Sequence, residues 1–185
     1  MPDAGIIESA RLRLISMTPS FLAASLRCDL ATATALLGGT IPPDWLQDQW
    51  LMRLRLDQLT AAPALQPWLL RAVVLRHDGA MIGHIGFHTA PGAAYLRPWA
   101  PDGVEFGYTI FPPFRRHGYA TEAADALMRW AHRTYAVPRF VMTISPENVP
   151  SRRIATHFGF QQVGTYVDPQ DGPEDIFVRD LTSRA

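Results

Sequence analysis

The sequence predicts an α/β fold, a mixed sheet layered with helices. Three observations predict it. Two short apolar runs flank an Arg-His-Asp-Gly turn at residues 76–79, the pattern of a hairpin. A third run, Val104 to Phe111, leads through a short loop into a long amphipathic helix beginning at Tyr119. A strand, a short helix and two more strands then complete the chain. Hairpins interleaved with helical crossovers place parallel and antiparallel neighbours in one sheet.

The elements follow in order. Arg11 to Ile15 alternates and reads as an edge strand. Pro19 to Leu30 reads as a helix, with Thr18 as cap and Pro19 at its first position. Gly38 to Pro43 breaks the chain, and Asp44 to Leu59 reads as a second helix with Leu46, Trp50 and Leu54 at i,i+4 spacing. Trp68 to Arg76 and Ala80 to His88 form the hairpin. Ala90 to Asp102 is a Pro- and Gly-containing loop, long enough to suggest function. In Tyr119 to Thr134, the residues Ala120, Ala123, Ala124, Leu127 and Ala131 share a face, with Glu122, Asp125 and Arg129 opposite. Phe140, Met142 and Ile144 alternate in the next strand. Asn148 caps a short helix that ends at Gly159. Gln161 to Val167 and Glu174 to Leu181 are the last strands, joined by a turn at Asp171-Gly172-Pro173.

Composition narrows the function classes. The 185 residues suit one domain with a real core, residues 1–185, and no internal repeat or linker interrupts them. No run approaches the ~18 apolar residues of a membrane span. Met1 to Ala10 carries acids and none of the features of a signal peptide, and Cys28 stands alone, so a cytoplasmic protein is expected. Net charge is zero, which gives no basis for binding a nucleic acid. All 17 basic residues are arginine, so no lysine can serve as Schiff-base nucleophile or general base. His84 and His88 share one side of a strand about 13 Å apart at ~3.3 Å per residue, too far to share a metal, and no metal site is expected.

The segment Arg115-Arg116-His117-Gly118-Tyr119-Ala120 reads R-x-x-G-x-A and opens the long helix. A tight loop at a helix N-terminus offers free backbone N–H groups and a positive dipole end, hence an anion site. An ordinary turn with solvated arginines is the alternative. The common nucleotide motifs G-x-x-x-x-G-K-[ST] and G-x-G-x-x-G are absent. On strand parity Glu105 shares a face with Gly107 and Thr109, opposite apolar Val104, Phe106, Tyr108 and Ile110. Glu105 is either a strand-end carboxylate facing water or a group that does chemistry.

The run from Val104 through Ala123 resembles the acyl-CoA-binding core of the GNAT N-acetyltransferases, nearest to the branch that acetylates ribosomal-protein N-termini. Glu147-Asn148-Val149-Pro150-Ser151-Arg152-Arg153 through His157-Phe158-Gly159-Phe160 resembles that branch's E-N-x-x-S…G-F element. The resemblance covers nearly the whole chain and implies the GNAT fold, a mixed and mostly antiparallel central sheet with helices on both faces. It implies acetyl-CoA as co-substrate, with its pyrophosphate on Arg115, Arg116, His117, Gly118, Tyr119, Ala120 and Thr121. The pantetheine arm would pair with Tyr108, Thr109 and Ile110 as an added strand, in a slot opened where Phe140–Ile144 splays away. Asn148 is a helix cap and compatible with a pantetheine hydrogen bond; Ser151 is similarly ambiguous. Arg153 is either solvated or in reach of a phosphate. Glu105 would be the base, needing some desolvation because a free carboxylate is a weak one.

One departure stands out. Where many members place a proton-donating tyrosine, seven residues after the Asn, this chain has Ala155; Ser145 is the remaining candidate relay. The acceptor would be an amine of a small molecule or a protein N-terminus, attacked directly by no covalent route through the enzyme, in a monomer or homodimer. The alternative is a non-catalytic domain that binds acyl-CoA. Cys28 is expected to be buried, the tryptophans Trp45, Trp50, Trp68 and Trp130 to be core, and Trp99 to be the one that touches an acceptor.

Overall fold

The structure is a computed structural model that describes residues 5–168 and 172–181. Its strands are β1 (Ile7–Glu8), β2 (Leu12–Ser16), β3 (Arg71–Leu75), β4 (Met81–Phe87), β5 (Val104–Ile110), β6 (Arg139–Ile144), β7 (Gln161–Asp168) and β8 (Gly172–Asp180). Its α-helices are α1 (Pro19–Leu26), α2 (Leu30–Leu37), α3 (Gln49–Ala61), α4 (Tyr119–Tyr135) and α5 (Val149–His157). The strand order is β1-β2-β3-β4-β5-β6-β8-β7, an eight-stranded mixed sheet, mostly antiparallel. Packing divides the chain into two compact units. One comprises residues up to Gly86 with Tyr108–Leu127, and the other comprises Phe87–Gly107 with the residues from Met128 onward. The elements β4, β5 and α4 each contribute to both.

In the first unit β2 pairs antiparallel with both β1 and β3, so Arg11–Ile15 is not the sheet edge; β1 takes that place. The predicted helix Pro19–Leu30 is two helices. Thr18 Oγ1 accepts from Phe21 N–H and starts α1. Cys28 then takes φ +56°, in the left-handed region, and is exposed rather than buried. Asp29 caps α2 through Thr32 N–H, and Gly38 ends it at φ +68°. The predicted helix from Asp44 begins as a 3-10 turn, Pro43–Gln47, and becomes α3 only at Gln49. Its inward stripe is Met52, Arg55 and Leu59, while Trp50 is exposed by 67%. The core holds Phe21, Leu22, Trp45, Met52 and Leu59 against Leu70, Ala72 and Val74 of the sheet, with Trp45 Nε1 donating to Ser25 Oγ at 3.0 Å.

The hairpin is as expected: Leu75 N–H bonds Ala80 O at 2.9 Å, and Gly79 turns the chain at φ +73°. Phe111 N–H donates to Ile82 O at 2.9 Å, which joins the end of β5 antiparallel to β4. At Gly83 the two backbones come so close that a Cβ would lie 2.1 Å from Thr109 O. Only glycine fits there.

In the second unit β5 runs parallel to β6 through the pairs Val104↔Phe140 and Glu105↔Val141. The other edge of β6 is paired with β8 over its whole length, from Arg139↔Asp180 to Ile144↔Asp175. Phe87, Phe106, Phe140 and Phe160 pack their rings at centroid distances of 6.3–6.4 Å. The Ala90–Asp102 loop is ordered: Leu96 and Ala100 pack on Val141 and Ile176. Trp99, expected to meet an acceptor, instead packs partly against that cluster, its Nε1 2.9 Å from where a Gly164 Cβ would stand. The predicted turn at Asp171-Gly172-Pro173 lies partly outside the described residues; the strands it joins pair from Gln161↔Val178 to Asp168↔Gly172.

Gly83→Ala tests the close approach of β4 to β5. Overpacking a backbone contact costs roughly 1–3 kcal/mol or more, so urea denaturation should show a loss of at least about 1 kcal/mol, because the displaced atom is Thr109 O and not a flexible side chain.

Candidate active site

The loop before α4 lies in the first unit. Pro112–Phe114 make a 3-10 turn, Arg115 is extended at φ −70°, ψ 160°, Arg116 takes φ +67° and Gly118 φ +79°. Two left-handed residues, separated by His117, make the tight turn that leads into α4. A non-glycine residue at positive φ is uncommon, and Arg116 shares the feature with Cys28 and Ala136. From Tyr119 the chain is helical, Glu122 N–H bonding Gly118 O at 3.0 Å. The N–H groups ahead of that bond have no carbonyl in their own helix to pair with.

The arginines divide their work. Arg115 folds back, its Nε donating to Ile110 O at 2.8 Å, and so fixes the loop to the end of β5. Arg116 is exposed. His117 is exposed, stacked on Tyr119 with centroids 5.7 Å apart. A third arginine, which sequence reasoning did not place here, clasps the loop from outside. Arg11 Nη1 donates to His117 O at 3.0 Å, Nε pairs with Glu122 Oε2 at 2.6 Å, and the guanidinium covers the Tyr119 ring at 4.6 Å. Glu122 Oε1 also accepts from Arg11 N–H at 2.7 Å and Ser9 Oγ at 2.8 Å. Burial alone would raise the Glu122 pKa, but these bonds and the arginine charge outweigh it, and the carboxyl is held below its ordinary value. The carboxylate also sits in the first turn of α4, where the helix dipole favours it.

Glu105 lies in the second unit and does not face water: the residue is 4% exposed. Thr143 Oγ1 donates to Oε1 at 2.5 Å, and His88 Nδ1 stands 3.3 Å from Oε2. Desolvation by burial is the largest influence and pushes its pKa up. The hydrogen bond and charge of His88, with bonds from Thr143 and Tyr95, together outweigh it and leave the carboxyl below its ordinary value. Desolvation would make Glu105 a better base. Burial is present, and its donors reverse its effect. His88 follows β4 directly, and its N–H donates to Glu105 O at 2.9 Å. In the sequence His88 stands out only as a possible metal ligand, and Thr143 and Tyr95 carry no motif. The available signal was parity, which leaves Thr143 as a polar residue among apolar neighbours in β6.

The remaining predicted residues are spread out. Tyr108 and Thr109 are half-buried and Ile110 buried on the same strand as Glu105. Asn148 is exposed and caps α5, its Oδ1 accepting from Ser151 N–H at 3.2 Å. Arg153 is exposed, while its neighbour Arg152 pairs with Asp175. Ser145 Oγ accepts from Glu147 N–H at 3.4 Å, holding the turn before that helix, and nothing in the described contacts joins it to Glu105. Ala155 is fully buried. In the first unit, buried His84 pairs with Asp48 at 2.9 Å beneath Trp45.

A family model for the acetyltransferase (GNAT) domain matches residues 11–161. The chain belongs to the GNAT acetyltransferase family. That family uses acetyl-CoA as acyl donor. Over 94 residues this GNAT chain is 30% identical to the uncharacterized N-acetyltransferase YnaD of Bacillus subtilis (strain 168), covering 51% of each. The chain spans about half the length of the curated relatives it matches. Among solved structures, a GNAT acetyltransferase from Bacillus anthracis shares 20% identity and a TM-score of 0.64, over 97% of this chain and all 100% of that one. RimL, a ribosomal α-N-protein acetyltransferase solved with coenzyme A, shares 17% identity and a TM-score of 0.66, over 97% and 100%. These likenesses show the fold.

The Arg11–Glu122 clasp yields a pH-dependent prediction. Because the folded-state pKa of Glu122 is lowered, its contribution is present above the unfolded value near ~4.3 and is lost as pH falls through the folded one. Glu122→Gln should therefore unfold more easily than wild type near neutral pH, by about 1–3 kcal/mol from lost charge-assisted bonds. The difference should shrink towards zero as denaturation is repeated down to about pH 3.

Proposed function

We propose that this GNAT chain, acting as a single domain, transfers the acetyl group of acetyl-CoA to a primary amine, either an α-amine at a peptide N-terminus or an amine on a small molecule. The observation that carries the proposal is the buried, ionised Glu105 on the strand that also presents Tyr108–Ile110. A domain that only bound acyl-CoA would gain nothing from a charge it must desolvate and then satisfy with three donors. The pyrophosphate would rest on the amides from Arg116 to Thr121, with the charges of Arg116 and His117 beside it. The pantetheine arm would add to β5 along Tyr108–Ile110, and a β5 amide would hold the charge that develops on the thioester oxygen.

The amine attacks the thioester carbon directly, the C–S bond breaks, and the amine loses one proton as the thiol gains one. No nucleophile suited to a covalent intermediate lies among the residues assigned to the site. Two classes of acceptor differ in what they ask. An α-amine of pKa ~7.8 is roughly a quarter neutral near pH ~7.4, whereas a lysine amine of ~10.4 is only about 0.1% neutral. The α-amine reacts with modest help, which favours N-terminal or similarly acidic amines. Ala155 supports the competing reading, a domain that binds acyl-CoA without turning it over, because it replaces the family's proton donor with a buried methyl group. A cytoplasmic monomer or homodimer is proposed with either reading.

Two measurements decide. Gly118→Val forces a β-branched residue into φ +79° and should weaken acetyl-CoA binding by tenfold or more, since one to two charge-assisted bonds at ~1.5–3 kcal/mol each would be displaced. Unchanged affinity by calorimetry would remove the pyrophosphate from this loop. Thiol release from acetyl-CoA should then be followed with N-terminal peptides, polyamines and aminoglycosides as acceptors. Release with any of them supports transfer, and tight binding without release supports the binding-only reading.

A further inference from the structure

Glu105 is a poor candidate for the atom that receives the proton. It is buried, one oxygen takes the Thr143 hydroxyl, the other faces His88, and Tyr95 bonds the same carboxylate. The imidazole beside it differs in each respect. The His88 side chain is 40% exposed where that of Glu105 is 5% exposed. Its backbone is fixed to β5 through Glu105 O, and its ring is fixed through Nδ1. Nε2 is turned over Gly107, where a Cβ would come within 3.0 Å of it. Gly107 shares the Glu105 face of β5, so the absence of a side chain there leaves room for the ring edge.

We propose that His88 Nε2 takes the proton from the attacking amine, with Glu105 as the positioning carboxylate behind it. The inference rests on the acetyl-transfer reading and gives that reading its base. The carboxylate selects the tautomer: Nδ1 carries the hydrogen and donates it to Oε2, so Nε2 carries the lone pair. As the amine nitrogen bonds to the carbonyl carbon, its N–H bond gives the proton to Nε2. The buried negative charge stabilises the imidazolium that results. The C–S electron pair leaves with sulfur, and the proton lost by the amine is balanced by the one gained as thiol, which regenerates neutral imidazole. Among the described residues, Thr143 from β6, which is uncharged, and Tyr95 from the loop both donate to the carboxylate. The geometry agrees with this division, because a carboxylate held by Thr143 on one oxygen and by His88 on the other is placed to orient an imidazole.

The test uses the full chain and the best amine found by thiol release. His88→Gln keeps a donor for Glu105 and cannot accept the proton. It should lower kcat about 100-fold with the KM for acetyl-CoA and the melting temperature essentially unchanged. Imidazole added to His88→Ala should restore part of the rate. Glu105→Gln should cost less than His88→Gln. A wild-type enzyme that turns over while His88→Gln stays within about twofold of it across pH overturns the assignment and leaves acetyl transfer standing. A deeper loss in Glu105→Gln than in His88→Gln also overturns it, since the carboxylate would then be the base. Wild-type protein that acetylates no amine defeats the acetyl-transfer reading, and this inference with it.

Discussion

A carboxylate removed from water must be repaid by donors at close range, and Glu105 obliges its neighbours to supply them. Its backbone sits in the parallel pairing with Val141, while its own carbonyl takes the His88 amide. Three segments then converge on the side chain: the end of β4 with His88, the ordered loop with Tyr95, and β6 with Thr143. The Phe87, Phe106, Phe140 and Phe160 rings fill the space beside those strands and hold their spacing. The loop from Ala90 to Asp102 is therefore more than a connection. It anchors Leu96 and Ala100 in the core and so holds Tyr95 in place at the carboxylate.

The loop before α4 solves a different problem. The left-handed conformation is open to Gly118 but costly for Arg116, which keeps it only where its surroundings over-determine it. Arg115 ties one end to β5, and Arg11 ties the other to α4 through Glu122. These two arginines hold the backbone of the loop in place from both ends. Preorganisation of this kind lowers the cost of ordering a phosphate-binding loop at the moment of binding.

Much of this was legible in the residues, and the misreadings have physical causes. The R-x-x-G-x-A loop, the alanine face of α4 and the Asn148 cap are local patterns, set within one turn or one helix, and all were readable. The break between α1 and α2 was not, because it depends on Cys28 entering the left-handed region, which no composition rule assigns to cysteine. Trp50 was misplaced because i,i+4 spacing fits two overlapping stripes in α3, and only packing chose the one through Met52 and Leu59. Glu105 was found by parity, but its partners were not. His88 and Thr143 are 17 and 38 residues away along the chain and meet Glu105 only through the sheet register.

Register also explains why Glu105 and its partners sit where they do along β5. A strand alternates its side chains, so a residue serving chemistry on one face leaves its neighbours free to pack on the other. Glu105 and Gly107 take the face shared with His88, and Val104 and Phe106 bury themselves opposite. Three residues beyond Glu105 the same strand reaches Tyr108, about 10 Å along at ~3.3 Å per residue. A shift of one residue in the β4–β5 register would turn Glu105 into the phenylalanine core and expose Phe106. The close contact of Gly83 with Thr109, which admits no Cβ, therefore holds the β4–β5 register on which the placement of Glu105 depends.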